Sequence, residues 1–224
     1  MWGLVESGSI TKIINNPRAM VIGDVRHSRN IFSSRWTNAE REAIGIYEVV
    51  FDDTKKKDEE YYINTNQTFT YDADAGTVTA TYGDATAKAH ADVNEVWSQD
   101  EIDADKAPEG TSANDPKNDV DGNQIVTEGL KTKKIRAVKA QVAYILAKTD
   151  WYIVRKADAN TAIPSAITTY RAAVRTKCAA METAITNASD TPAIETLYTY
   201  VNTADEGDPV VMERPLGEFP VLGS

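Results

Sequence analysis

A chain of 224 residues is long enough for one large or two modest domains, each able to bury a core, and two compact units are the expectation. Hydrophobic residues at 42% and charged residues at 26% exclude the disordered class, and no apolar run approaches the ~20 residues that cross a bilayer as a helix. The net charge of −10 gathers in residues 98–128, with nine acids against Lys106 and Lys117, and beyond Thr203, with five acids against Arg214; the remainder is near neutral, too poor in surplus cations for general phosphate binding.

In chain order, WGLVES, Gly8-Ser9 and ITKII read as a β-hairpin closed by Asn15-Asn16-Pro17. RWTNAEREAIG places Glu40 three residues after Thr37, a reciprocal capping box for a one- or two-turn helix that Gly45 would end. IYEVVF is a strand stopped by DDTKKKDEE, and YYINTNQTFTYD and GTVTATYG alternate about Asp74-Ala75-Gly76 as a second hairpin. From Ser98 to Gly129 the chain is rich in Asp, Asn, Gly and Pro without apolar period, as a linker or long surface loop would be.

Helical rhythm follows. Ile135, Val138, Val142 and Ile145 form one stripe; Ile167, Tyr170, Val174, Cys178, Met181 and Ile185 form a longer one. Thr191, a capping residue before Pro192, opens a third with Ile194, Leu197, Tyr198 and Val201. Helices near 132–148 and 164–186 should run antiparallel. The β-favouring octet TDWYIVRK, residues 149–156, should cross their end, with Trp151, Ile153 and Val154 covering the apolar mouth. Thr149 or Asp150 would bond amides there, and Pro164 would start the next helix. The expected class is α+β: a small β-rich domain over 1–97, an acidic linker over 98–128, an antiparallel helical hairpin or bundle over 129–202 and an extended tail over 203–224.

Reactive groups are few. His27 and His90 have no serine or cysteine nucleophile nearby in sequence, and Cys178 sits on an apolar stripe, where a free thiol acts as a small hydrophobe. One cysteine excludes an internal disulfide, and MWGLVESGSITKII has no secretory pattern, so a reducing cytoplasm is the expected site of synthesis. GxGxxG, P-loop and HExxH motifs are absent from the sequence. Within NDVDGNQIVTE, Asp119, Asp121, Gly122 and Glu128 match positions three, five, six and twelve of a calcium loop. Lys117 at position one and Gln124 at position eight break the match, so an Asp-Gly turn is the better account. Lys131, Lys133, Lys134, Arg136 and Lys139 form a basic helix start suited to an acidic partner or to plain solvation. Arg171 and Arg175, one turn apart, are expected to pair with Asp150 or Asp158 as a structural ion pair. No cofactor, metal ligand or catalytic residue is expected.

The run LAKTDWYIVRKADANTAIPSAITTYRAAVR, with Thr149-Asp150-Trp151, Tyr170-Arg171 and Arg175, resembles a segment of tailed-bacteriophage tail proteins, including tail-fibre assembly proteins and small tail components. GSITKIINNPRA, WTNAEREAIGIYEVVF around Trp36, and YYINTNQTF resemble N-terminal modules of marine phage tail proteins. The resemblance implies no enzyme. It implies a virion protein of the tail, made in the host bacterial cytoplasm. Such a protein acts as an adaptor joining fibres or baseplate, with other tail proteins and copies of itself as partners, no nucleic acid or membrane, and a cyclic homo-oligomer as its form. Trp151, Asp150, Tyr170, Arg171, Arg175 and Trp36 are its structural and interaction residues. An assembly chaperone absent from the mature virion is the alternative. A cell-wall-active enzyme would need two carboxylates ~5 to 9 Å apart flanking a cleft. A host-surface binding tip would need exposed loop aromatics, for which Tyr61, Tyr62 and Tyr71 are candidates, although strand packing explains them as well.

Overall fold

The computed structural model describes residues 1–65 and 67–223; Asn66, inside the expected YYINTNQTF strand, and Ser224, the last residue of the expected tail, lie outside them. The chain is α+β and divides into two compact units, residues 1–86 and 87–224.

In the first unit, β1 (Trp2–Glu6) and β2 (Ser9–Ile14) form the expected hairpin, and β3 (Met20–Ile22) and β4 (Val25–His27) form a second, small ribbon. A 3-10 turn over Arg29–Phe32 leads to α1 (Asn38–Glu42), where the Thr37–Glu40 capping box is complete in both directions. β5 (Ile46–Asp52), β6 (Tyr62–Ile63), β7 (Thr68–Asp72) and β8 (Thr77–Thr81) follow, and β9 (Thr86–Ala87) stands at the unit boundary.

The main sheet has five strands in the order β2-β1-β5-β8-β7, with β5 and β8 parallel and the other pairs antiparallel. Alternation along the strands divides the apolar side chains between two faces. Val5, Val49, Val78 and Ala80 meet Ile10, Tyr47, Phe69 and Tyr71 on one face, where the outer strands β2 and β7 approach each other. Leu4, Ile14 and Ile46 lie on the other, covered by Met20, Ile22 and Phe32. Gly45 ends the α1 turn at φ +80, where a Cβ would meet the Val5 carbonyl oxygen at 2.4 Å, so glycine is required there on two grounds.

In the second unit, β10 (Val93–Asn94) pairs antiparallel with β11 (Val126–Thr127), and α2 (Gln99–Asp103) lies between them. Four helices follow: α3 (Leu130–Ala147), α4 (Asp150–Ala159), α5 (Ser165–Asn187) and α6 (Thr191–Tyr198). A short ribbon of β12 (Val201–Asn202) and β13 (Met212–Glu213) precedes the extended end.

The α5 stripe is buried as its spacing predicts: Ile167, Val174, Cys178, Met181 and Ile185 are inside, with Tyr170 packed beside them. Val138 buries from α3, with Ile135, Val142 and Ile145 packed against the same core. Leu216 and Phe219 close this core from the C-terminal segment, and Lys177 Nζ donates to the Leu216 carbonyl at 2.7 Å. The end of the chain is therefore a strap along α5, held by two buried side chains that carry no periodic signal.

Several expectations change. The unit boundary falls before residue 87 instead of after 97 because residues 88–92 are tied to the helices. Thr191 Oγ1 donates to the Lys88 carbonyl at 2.6 Å, and the first amides of α3, Leu130 and Lys131, donate to the carbonyls of Ala89 and His90 at 3.0 and 2.9 Å. A Cβ at Gly129 would meet the Ala91 carbonyl carbon and oxygen at 2.3 Å, which explains the glycine.

Residues 98–128 are hydrogen-bonded structure. Ser98 and Glu101 form a second capping box, Lys117 pairs with Glu101 at 2.7 Å and lies 4.8 Å from the Trp97 ring centroid, and Gln124 Nε2 donates to the Glu95 carbonyl at 2.6 Å.

Asp190, not Thr191, caps α6, its carboxylate accepting from the Ala193 amide at 2.8 Å. Val201 leaves the expected stripe for strand β12 and is exposed.

Candidate functional site

The octet at 149–156 is helical from Asp150 on, contrary to its expected extended path: only Lys148 and Thr149 separate α4 from α3. Thr149 breaks the helix at φ −120, ψ 5, and the Leu146 carbonyl there accepts from the Thr149 amide and hydroxyl, each at 3.0 Å. Arg171 of α5, 7% exposed, adds a further donor. It donates to the Leu146 carbonyl at 2.8 Å and to Thr149 Oγ1 at 2.6 Å, and its Nη2 pairs with Asp150 Oδ1 at 2.8 Å. A guanidinium at the carbonyl end of α3 and a carboxylate in the first turn of α4 both suit the helix dipoles. This clamp turns a possible strand into a second helix, and it is the ion pair expected from the sequence.

Beyond the clamp, α4 buries none of its ten residues. Trp151 is 51% and Val154 67% exposed, with Ile153 also exposed, so these side chains do not cover the mouth of the helix pair. Trp151 and Tyr152 stack with ring centroids 3.8 Å apart, and the Arg155 guanidinium lies 4.7 and 5.3 Å from those rings. Its Nε is shielded from water with no hydrogen-bond acceptor, so the rings are its main partners. Lys148 sits 4.7 Å from the ring of Tyr144, itself 68% exposed on α3. The outcome is an aromatic surface studded with cations on rigid helices. Tyr144, Lys148, Tyr152 and Arg155 were not singled out from the sequence; the four-residue spacings Tyr144–Lys148 and Trp151–Arg155 are the signal that marks them.

The other expected residues separate. Tyr170 packs on the core and lines a concavity of about 460 Å³ between α5 and Pro220 and Val221 of the strap. Arg175 is exposed and stands apart from the clamp. Trp36 belongs to the first unit, where its ring meets His27 edge-on at 6.3 Å and its carbonyl accepts from buried Arg41 at 2.8 Å.

Tyr61 and Tyr62 are buried, and Tyr71, in strand β7, donates its hydroxyl to Tyr47 at 3.0 Å, so packing and not loop exposure accounts for these rings. Tyr47 is pushed up to about 12, first by that hydrogen bond and then by burial. The basic start of α3 is largely engaged within the unit: Lys131 donates to the Thr186 carbonyl at 2.8 Å, Lys134 lies 4.1 Å from the Tyr198 ring centroid, Arg136 pairs with Glu128, and Lys139 with Glu182 at 3.2 Å.

Burial and then the Glu182 contact raise the Cys178 thiol above its ordinary range, and its Sγ donates to Glu182 Oε1 at 3.1 Å. Asp119 accepts from the amides of Asp121 and Asn123 at 2.9 and 2.8 Å, the pattern of an Asx-stabilised turn. Among the described residues no group of three or more His, Cys, Asp or Glu side chains is placed to hold a metal, and no helix is long and apolar enough to cross a membrane. Two further concavities, around Lys12, Arg18 and Met20, are lined without a carboxylate. No protein-family model, curated protein or solved structure matches the chain.

Proposed function

We propose that the chain is a non-enzymatic structural protein of a bacteriophage tail, an adaptor that joins fibres or baseplate through protein contacts made at the α4 face. One observation carries the contact surface: a ten-residue helix that contains Trp, Tyr, Ile and Val buries none of them. Leaving so much aromatic area in water has no benefit to an isolated fold, and aromatic and arginine side chains of this kind dominate binding hot spots. Arg171 fixes the helix before any partner arrives, so little ordering cost remains for docking. The tail assignment rests on the resemblance carried by TDWYIVRK through YRAAVR.

Mass spectrometry of purified virions tests it. Stoichiometric copies in the particle support the adaptor. Abundance in lysate with absence from virions would replace it with the assembly chaperone, and clearing of a cell-wall zymogram by the purified chain would replace both with an enzyme.

A further inference from the structure

The second unit carries another exposed apolar surface, of the opposite charge. In the β12–β13 ribbon and its loop, Val201, Val210, Val211 and Met212 are all exposed, among Asp205, Glu206, Asp208 and Glu213 and with no cation from residue 201 to 213. The ladder is two residues per strand, Val201 with Glu213 and Asn202 with Met212. An isolated two-stranded ribbon is marginally stable in water and gains from being covered. The α4 face carries Lys148 and Arg155 beside its exposed rings and one carboxylate, Asp158, while the other carboxylate of the helix, Asp150, is held by Arg171, and Lys156 donates to Asn160 at 2.8 Å.

These two surfaces lie at opposite ends of α3. The ribbon starts where α6 ends, and there Tyr198 lies over Lys134, near the start of α3, while Arg214 lies 5.6 and 5.3 Å from the rings of Tyr198 and Tyr200. The α4 face follows Ala147, at the other end. The stretch of α3 from Lys134 to Ala147 spans about 20 Å at ~1.5 Å per residue. One copy therefore cannot bring its ribbon onto its own α4 face.

We infer that the α4 face receives the acidic ribbon of a second copy of this chain, head to tail. Valine and methionine side chains would lie on Trp151, Val154 and Tyr144, with the ribbon carboxylates beside Lys148 and Arg155. Such a contact is heterologous, so it propagates until a ring closes or a filament forms. The inference rests on the reading of α4 as a protein-docking surface and names its occupant.

The test uses the full chain in sedimentation velocity and light scattering. The wild type is expected to exceed monomer mass and to dissociate as salt rises, since screening weakens exposed charge pairs. The double variant K148E/R155E and the triple variant D205K/E206K/D208K each place like charges in the contact. Each should weaken self-association by at least about tenfold while keeping the wild-type circular dichroism. Mixed together, they restore an assembly of alternating copies. A monomeric wild type, an assembly that neither variant weakens, or a mixture that stays monomeric overturns the inference. If the wild type is monomeric and Trp151→Ala still abolishes incorporation into virions, α4 remains a docking surface and its occupant is another protein.

Discussion

Helices α4 and α5 belong to one unit and both carry aromatic and branched apolar residues, yet α5 buries six side chains and α4 none. The difference does not lie in residue type. In α5 the apolar positions repeat at three and four residues over 23 residues, so one face meets α3, α6 and the strap at once. In α4 the aromatic and branched residues 151–154 run consecutively, which places them around the helix, and no single face can bury them. Burial follows the spacing of apolar residues and the elements available to cover them.

The contrast breaks most sharply in the buried stripe of α5. Ile185→Ala removes a side chain with no exposed surface and is expected to cost on the order of 2–5 kcal/mol, read as a lower urea midpoint for loss of helical circular dichroism. A change below 1 kcal/mol would mean that this core is not packed as described.

Arg171→Met keeps much of the apolar stem but removes the donors to Leu146 and Thr149 and the partner of Asp150. A cost of about 2–3 kcal/mol is expected from the bonds lost to a charged group. Arg171→Lys should recover less than half, since an ammonium lacks the planar fork. Full recovery by lysine would reduce the clamp to simple charge.

A smaller effect belongs to pH. The Glu101 carboxyl falls from 4.5 to about 2, chiefly through its hydrogen bond to Lys117 and then through the Ser98 amide and hydroxyl. A depressed carboxylate contributes stability that is present above its unfolded value and is lost as pH falls through the folded one. Amide protection around Ser98 and Trp97 should therefore decline between pH 4.5 and about 2, and Glu101→Gln should remove that dependence. A carboxyl NMR titration of Glu101 with its midpoint at the ordinary glutamate value would show the Lys117 pair to be absent in solution.

The smallest effect sharpens the comparison from the α4 side. Trp151→Ala should alter stability by no more than about 0.5 kcal/mol, where truncation of a core tryptophan costs ~3–5 kcal/mol. A loss in the core range would show that α4 supports the fold.

Local interactions explain what was legible in the sequence. Gly8 and Gly76 have positive φ and sit in the loops of the two predicted hairpins, and the Thr37 box needs only residues three apart. The α5 stripe was readable at Ile167, Val174, Cys178, Met181 and Ile185 because a helix repeats its face independently of its neighbours, while Tyr170 is half-buried and Arg171 lies inside. The Arg171–Asp150 pair was anticipated, but its further bonds to Leu146 and Thr149 depend on how α3 ends, and with them the helical state of α4. Strand propensities of Trp, Tyr, Ile and Val differ from helix propensities by amounts that such a clamp overrides.

By itself the sequence determined the α+β class, the turns of the two predicted hairpins, the Thr37 capping box and the buried face of each long helix, because those depend on backbone geometry within a few residues. Tertiary structure alone decided the rest. Pairing of Val93 with Thr127 folds the acidic segment back on itself, Thr191 and Gly129 draw residues 88–92 onto the helices, and Leu216 and Phe219 close the core from an aperiodic strap. Each joins residues distant in sequence, so its free energy appears only after chain closure and leaves no local pattern to read. Trp151 remains exposed for the same reason: whether an apolar side chain is inside depends on what else in the fold arrives to cover it.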